Sequence, residues 1–269
     1  MNWRAVRAIV LRDLRLVLRA KAVLVPLIVV PAMIFVLFPV LGVLAIRAGG
    51  EALEELRPLI DNLPIDFTET LGPGPLQRQI LVYLLEYQFA TFFLIVPLMV
   101  CAVIAADSFA GEKERKTLEA LLYTPTSDRE LYIAKLIGPW LASVAVSLVS
   151  WAVYAVIVNV LAAGDVGRPV ALTGLWIIIL FWLGPAVGAL AIGVLVVVSA
   201  RVRGFQEAYQ LGGVVVLPVV LLLVAQLLGA IVLDARLAVL IGAVVWATAA
   251  TVLLAASRGF RRERLLRQV

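Results

Sequence analysis

Six stretches of the chain carry no charged residue: 22–46, 87–106, 136–163, 170–200, 208–233 and 237–257. Each reaches the ~20 residues that an apolar helix needs to cross a bilayer, so the pattern predicts six spans. The apolar stretch from Pro169 to Ala200 would measure about 48 Å as one helix, against a hydrocarbon core of ~30 Å. It must therefore tilt and project, or divide at Pro185. Pro97, Pro139 and Pro218 give the second, third and fifth spans a break point each. Prolines are common in membrane helices, and no gating is read from them alone.

Residues 1–21 follow a different pattern. At about 100° per residue, Arg4, Arg7, Arg12, Arg15 and Arg19 share one sector, with Trp3, Val6, Ile9, Val10, Leu14 and Val17 opposite. This is an amphipathic helix expected to lie in the membrane interface, as an orientation anchor or also as a contact for a partner subunit. Segment 47–86 is the one long connection on its side, with three basic and seven acidic residues and the breakers "NLP" and "LGPGP". It has room for short helices and too little mass for a core of its own, and the stretch "PLQRQILVYLLEYQF" at its end reads as a helix that runs into the second span.

The block at 107–135, "DSFAGEKERKTLEALLYTPTSDRELYIAK", holds eleven charges in twenty-nine residues, yet it is ordered rather than merely polar. Glu112 with Lys116 and Arg115 with Glu119 stand at i,i+4, and Leu118, Leu121 and Leu122 form one apolar edge, which predicts a helix. Thr124-Pro125 stops it. Ser127 as N-cap with Glu130 three residues on is a capping box that restarts a helix running into the third span. The expected product is a helix-turn-helix wedge joined rigidly to two spans.

Composition agrees with the pattern. The chain is 63% hydrophobic and 15% charged, with a mean hydropathy of +1.06, where soluble domains have roughly a quarter of their residues charged. Six spans put both termini on one side. Eighteen Lys/Arg fall on the side of the termini, the 107–135 block and the Arg201/Arg203 turn, against five at Arg47, Arg57, Arg78, Arg168 and Arg236. The positive-inside rule then makes the termini and the block cytoplasmic, in the plasma (inner) membrane. The first apolar run is too long for a cleavable leader. With one cysteine, Cys101, and no histidine, the chain offers neither a disulfide nor a familiar metal-ligand set. The net charge of +5 sits beside spans, where anionic lipid headgroups attract it, so nucleic acid is not an expected partner.

The 107–135 block closely resembles the signature of type-2 ABC transporter permeases, through Glu112, Lys113, Glu114, Arg115, Lys116, Thr117, Leu118, Glu119, Leu121, Leu122, Pro125, Ser127, Glu130 and Lys135. Lys116 stands where that family usually has glycine. "SARVRGFQEAYQLGGVVVLP" is similar to the family's turn before the fifth span, through Ser199, Arg201, Glu207, Ala208, Gln210 and Pro218. The resemblance implies a permease subunit of an ATP-driven transporter, an exporter by analogy, working by alternating access. It implies that 107–135 is a coupling loop docking in a separate ATP-binding-cassette ATPase, through Glu112, Arg115, Thr117, Leu118, Glu119, Leu122, Pro125, Ser127 and Glu130. ATP and Mg would be bound by that partner, with no cofactor in this chain. The sequence has no G-x-x-x-x-G-K-[ST] phosphate loop. A second permease, the same or a homologous chain, is the other expected partner, beside membrane lipids.

The expected fold is thus an all-α polytopic membrane protein: an interfacial helix at 1–21, then a six-span domain at 22–269 with a basic tail at 258–269. Ser143, Ser147, Ser150 and Tyr154 form a hydroxyl stripe along the third span, a candidate substrate path, although small residues at this spacing more often serve close helix packing. The same packing role is expected of Gly184 and Gly188, and interhelical hydrogen bonding of Asn159 and Gln226. Two other classes are weighed. A secondary transporter or channel would usually place ionisable residues inside its spans, and none falls inside the six runs. A lipid-modifying membrane enzyme would need a catalytic constellation, of which no sign is present. The substrate is not legible.

Overall fold

The computed structural model describes residues 2–114, 127–199, 201–202 and 204–259, except the side chains at 22, 23, 52, 65, 66, 113, 258 and 259. The described residues contain helices and no strand. Helix α1, Trp3–Arg19, is followed by six helices long and apolar enough to cross a membrane: α2 Leu24–Ala48, α3 Leu76–Gly111, α4 Asp128–Val166, α5 Gly174–Ser199, α6 Phe205–Leu227 and α7 Ala235–Ser257. Between α2 and α3 lie short helices at Glu51–Leu56, Pro58–Asp61 and Ile65–Leu71. The protein is a multi-pass membrane protein.

Helices α3 and α5 form the hub. In their most apolar stretches 78% and 67% of residues are buried, against 28% or less in the other four spans. Between helices in lipid there is little hydrophobic drive, so close approach rests on small residues and packing. Helix α5 supplies them. A Cβ on Gly188 would stand 3.0 Å from Cys101 Sγ of α3, and one on Gly193 would stand 3.1 Å from Val252 of α7. Phe35, Phe93, Tyr154 and Trp176 lock α2, α3, α4 and α5 together, with ring centroids 5.1–5.7 Å apart.

The long run before Ala200 is shorter as a helix than its apolar length suggests, because α5 begins only at Gly174. Asn159 of α4 grips the preceding segment: its Oδ1 accepts from Val170 N and its Nδ2 donates to Val170 O, both at 2.8 Å. Ala171 is held at φ 61°, and its carbonyl accepts from Trp151 Nε1. At Pro185 the helix does not divide; a wide π-helical turn, Ile179–Leu183, precedes it, the usual accommodation of an interrupted hydrogen-bond ladder.

Helix α3 begins eleven residues before the charge-free run does, at Leu76. Two charged side chains inside this extension are engaged by other parts of the chain. Arg78 donates to the carbonyls of Leu71, Pro73 and Val166. Glu86, 1% exposed, pairs with Arg168 at 2.9 Å. An ionisable residue therefore does sit in a spanning helix, contrary to the expectation from the six runs, but it is engaged by an arginine of the α4–α5 turn. At the same end Arg47 pairs with Asp165 at 2.8 Å.

The apolar face of α1 is largely taken by the protein itself. Val6, Ile9 and Val10 pack against Leu131 and Ala134 at the start of α4, while Trp3, Leu11 and Leu18 remain exposed beside the arginines.

Candidate functional site

Where α1, α3 and α4 meet, at the α1 end of the bundle, four charged side chains and a serine interlock. The contact of Val6, Ile9 and Val10 with Leu131 and Ala134 sets α1 alongside α4. Asp13, one turn beyond Ile9 and Val10, then comes beside Lys135. The last turn of α3, Asp107–Gly111, is π-helical and leads into Glu112–Glu114. It presents Ser108 and Glu112 to the same point.

Lys135 is 0% exposed. Its ammonium donates to Glu112 Oε2 at 2.5 Å, Ser108 O at 2.7 Å and Ser108 Oγ at 3.3 Å, and lies 3.9 Å from Asp13 Oδ2. Ser108 Oγ donates to Asp13 Oδ2 at 3.2 Å, and the ammonium stands 5.6 Å from the centre of the Phe109 ring, a cation–π contact. The other oxygen of Glu112 accepts from Arg12 Nη2 at 2.6 Å. Two cations face two carboxylates, so the formal charges balance; Lys135, Glu112 and Asp13 are buried, while Arg12 is 39% exposed. Burial of such groups is costly unless charge and hydrogen bonds are matched; among the described residues Asp13 Oδ1 has no hydrogen bond and faces Arg12 Nε at 3.6 Å.

This cluster holds one stem of segment 115–126. Two residues beyond Glu112 stands Glu114, whose carboxylate accepts from the backbone N of Phe205 at 2.9 Å, at the first turn of α6. The approach is so close that a Cβ on Gly204 would stand 2.7 Å from Glu114 Oε2. The other stem is the start of α4. Ser127 N donates to Glu130 Oε2 at 3.0 Å and Glu130 N donates to Ser127 Oγ at 3.3 Å, the reciprocal pair of a capping box. The second oxygen of Glu130 accepts from Asn2 N at 2.5 Å, while Asn2 Oδ1 caps α1 through Arg4 N and Ala5 N. The stems of segment 115–126 are thus tied to α1, α3, α4 and α6.

Of the residues expected to couple to a partner, Arg115, Thr117, Leu118, Glu119, Leu122 and Pro125 lie outside the described residues. Ser127 and Glu130 form the capping box. Glu112 is placed differently from a charge at the rim of a docking surface: it is 3% exposed and turned inward to Arg12 and Lys135. Of the hydroxyl stripe, Ser143 donates to Pro97 O at 3.1 Å and Tyr154 to Leu85 O at 2.6 Å, both carbonyls of α3, and Ser147 is buried. Ser143 and Ser147 border a narrow crevice against α3 and α5, and Ser150 borders a separate groove between α1, α2 and α4. Gln226 makes the interhelical bond expected of it, accepting from Thr91 Oγ1 at 2.7 Å.

Asp13, Ser108 and the pairing of Lys135 were not singled out from the sequence. A signal for Asp13 was present: as the lone acid of α1 it falls, at about 100° per residue, in the sector of Val6 and Val17 and away from the arginines. Among the described residues no group of three or more Cys, Asp or Glu could hold a metal ion. The cluster's one hydroxyl, Ser108, is buried and held between Asp13 and Lys135. Its geometry fixes positions rather than reacting atoms.

Compared with models of protein families, residues 7–257 match the one described as "ABC-2 family transporter protein". No curated relative matches the chain.

Proposed function

Since the chain belongs to the ABC-2 family of transporter proteins, we propose that it is the permease subunit of an exporter driven by a separate ATP-binding-cassette ATPase, with segment 107–135 as the coupling element. The observation that carries this reading is the fastening of both stems of 115–126. A push on a loop moves spans only if its ends are held stiffly, and here they are held by a charge-balanced ion cluster and a capping box. Leu118 and Leu122 are the proposed anchors in the ATPase, with Arg115, Thr117, Glu119 and Pro125 around them, because an interface buries its apolar edge centrally and keeps charge at the rim. Glu112 serves from within, as the link between loop and bundle.

On this reading the α1 end of the bundle is cytoplasmic, and α1 lies in the interface of the plasma (inner) membrane. The partner binds ATP and Mg. Closure of the ATPase pushes 115–126 and, through α3 and α4, opens the bundle to the other side in alternating access. Two permeases, identical or homologous, pair about a two-fold axis above two ATPases, the commonest closed symmetry. The test is purification of the assembly from its own host. Two permease and two ATPase chains in the measured mass, with ATP hydrolysis and substrate movement in vesicles, are expected. One permease in a stable, active assembly, or substrate movement that proceeds without ATP, contradicts the proposal.

A further inference from the structure

An apolar groove of about 690 Å³ runs between α1, α2 and α4, inside the ~300–1,000 Å³ range of ligand sites. Its origin is the divergence of α2 from α4 toward the α1 end. Beyond Met33, α2 packs on α4, while the helical segment Lys21–Ala32 that leads into it packs on α1 and α3. Near the other end, α1 is pinned to α4 by Val6, Ile9 and Val10. Between these contacts α4 presents small side chains, Ala142 and Ala145, and Ile104 of α3 closes the back. Apart from Ser150 the walls are hydrocarbon.

The groove follows α2 from Leu24 to Val36, about 18 Å at ~1.5 Å per residue. One leaflet of a bilayer is about 15 Å deep, half of its ~30 Å core. At the mouth Leu14 and Leu18 of α1 line the groove, and Arg15, Arg19 and Lys21 are exposed next to them in sequence. Among the described residues these three cations make no ion pair with an acid. A slot one acyl chain deep, with unpaired positive charge at its interfacial end, matches one class of molecule in both halves.

We infer that the groove binds an anionic glycerophospholipid from the leaflet on the α1 side, one acyl chain between α2 and α4 and its phosphate against Arg15, Arg19 and Lys21. Such a lipid would brace α1, and with it the Asp13 arm of the ion cluster, against the bundle. The inference does not depend on the proposed transport activity.

The test uses the full chain purified in neutral detergent, with phosphatidylglycerol or phosphatidylcholine added. Native mass spectrometry counts retained lipid, and thermal unfolding reads its effect. Retention of phosphatidylglycerol at least about tenfold stronger than of phosphatidylcholine is expected, since surface cations attract anionic headgroups, with a rise in Tm from the anionic lipid alone. Ala145→Trp fills the slot, and the pair Arg15→Gln, Arg19→Gln removes headgroup charge without touching its walls. Each should bring phosphatidylglycerol down to the level of phosphatidylcholine. Equal retention of the two lipids by the wild type, or undiminished preference in the arginine pair, overturns the inference. Should Ala145→Trp fail to fold, the arginine pair decides alone. Two-chain association that Ala145→Trp abolishes while lipid retention is unchanged would put a second copy in the groove, and also overturns it.

Discussion

Lys135 Nζ lies 2.5 Å from Glu112 Oε2, joining the start of one spanning helix to the residue that follows the preceding one, 23 positions apart in sequence. Both side chains are buried, and Asp13 and Arg12 of α1 complete the set. The pair therefore belongs to the bundle and not to a docking surface, and its loss acts on the bundle first.

Lys135→Met leaves Glu112 and Asp13 with only Arg12 between them. Breaking a buried pair from one side costs about 3–5 kcal/mol. The expected outcome is a strong fall in Tm of the detergent-solubilised chain. The double variant Lys135→Met, Glu112→Gln should lose less than the sum of the two single variants, because the partners share one interaction. Additive losses would mean that the two do not act as a pair.

Ser127→Ala removes the hydroxyl that accepts from Glu130 N and should cost about 1 kcal/mol through the lost cap. Glu130 keeps its bond from Asn2 N, so α1 stays attached. Hydrogen exchange should accelerate at the first turn of α4 and remain unchanged in its middle. Acceleration throughout α4 would show that the cap does more than hold its own turn.

The spans were legible because the bilayer forbids charge over a length the sequence displays directly, and the capping box because both its partners lie within three residues. The helical start of α3 was legible as well, in the pattern of 75–89 that runs into the second span, but the partners of its charges were not: Val166 O and Arg168 meet Arg78 and Glu86, and sequence spacing does not carry a partner that far away. The ion cluster was hidden for the same reason: Glu112 reads as one charge in a polar loop, and only the packing of α1 on α4 brings Arg12 and Asp13 to it. Ser143 and Tyr154 were legible as a stripe, but whether a stripe faces a passage or a neighbouring helix depends on α3, whose carbonyls they meet.

Arg168→Ala leaves Glu86 buried without its guanidinium. Because that guanidinium is 41% exposed, the loss should be about 2 kcal/mol, less than the ~3–5 of a fully enclosed pair. Glu86→Gln in the same chain should restore most of it, as the uncompensated charge is gone. No restoration, read by Tm, would mean that Arg168 acts through contacts other than Glu86.

Gly188→Val places carbon where Cys101 Sγ and Ser143 Oγ already stand, at 3.0 and 3.4 Å from a Cβ. Overpacking of this kind costs about 1–3 kcal/mol. Since α3 and α5 are the hub, the loss should appear as lower Tm and lower yield of inserted protein. Cys101→Ala should recover part of it by making room, and no recovery would place the strain elsewhere.

The central claim is that 107–135 carries force from an ATPase to α3 and α4. The most direct measurement is capture of the ATPase subunit by the full chain carrying Leu118→Asp and Leu122→Asp, together with ATP hydrolysis by the captured assembly. These residues are not members of the ion cluster at Arg12, Asp13, Ser108, Glu112 and Lys135, so the variant should insert and fold like the wild type, with an unchanged Tm. The account predicts that ATPase capture falls to background and stimulated hydrolysis is lost. Capture and hydrolysis at wild-type levels in a chain that folds normally would contradict it.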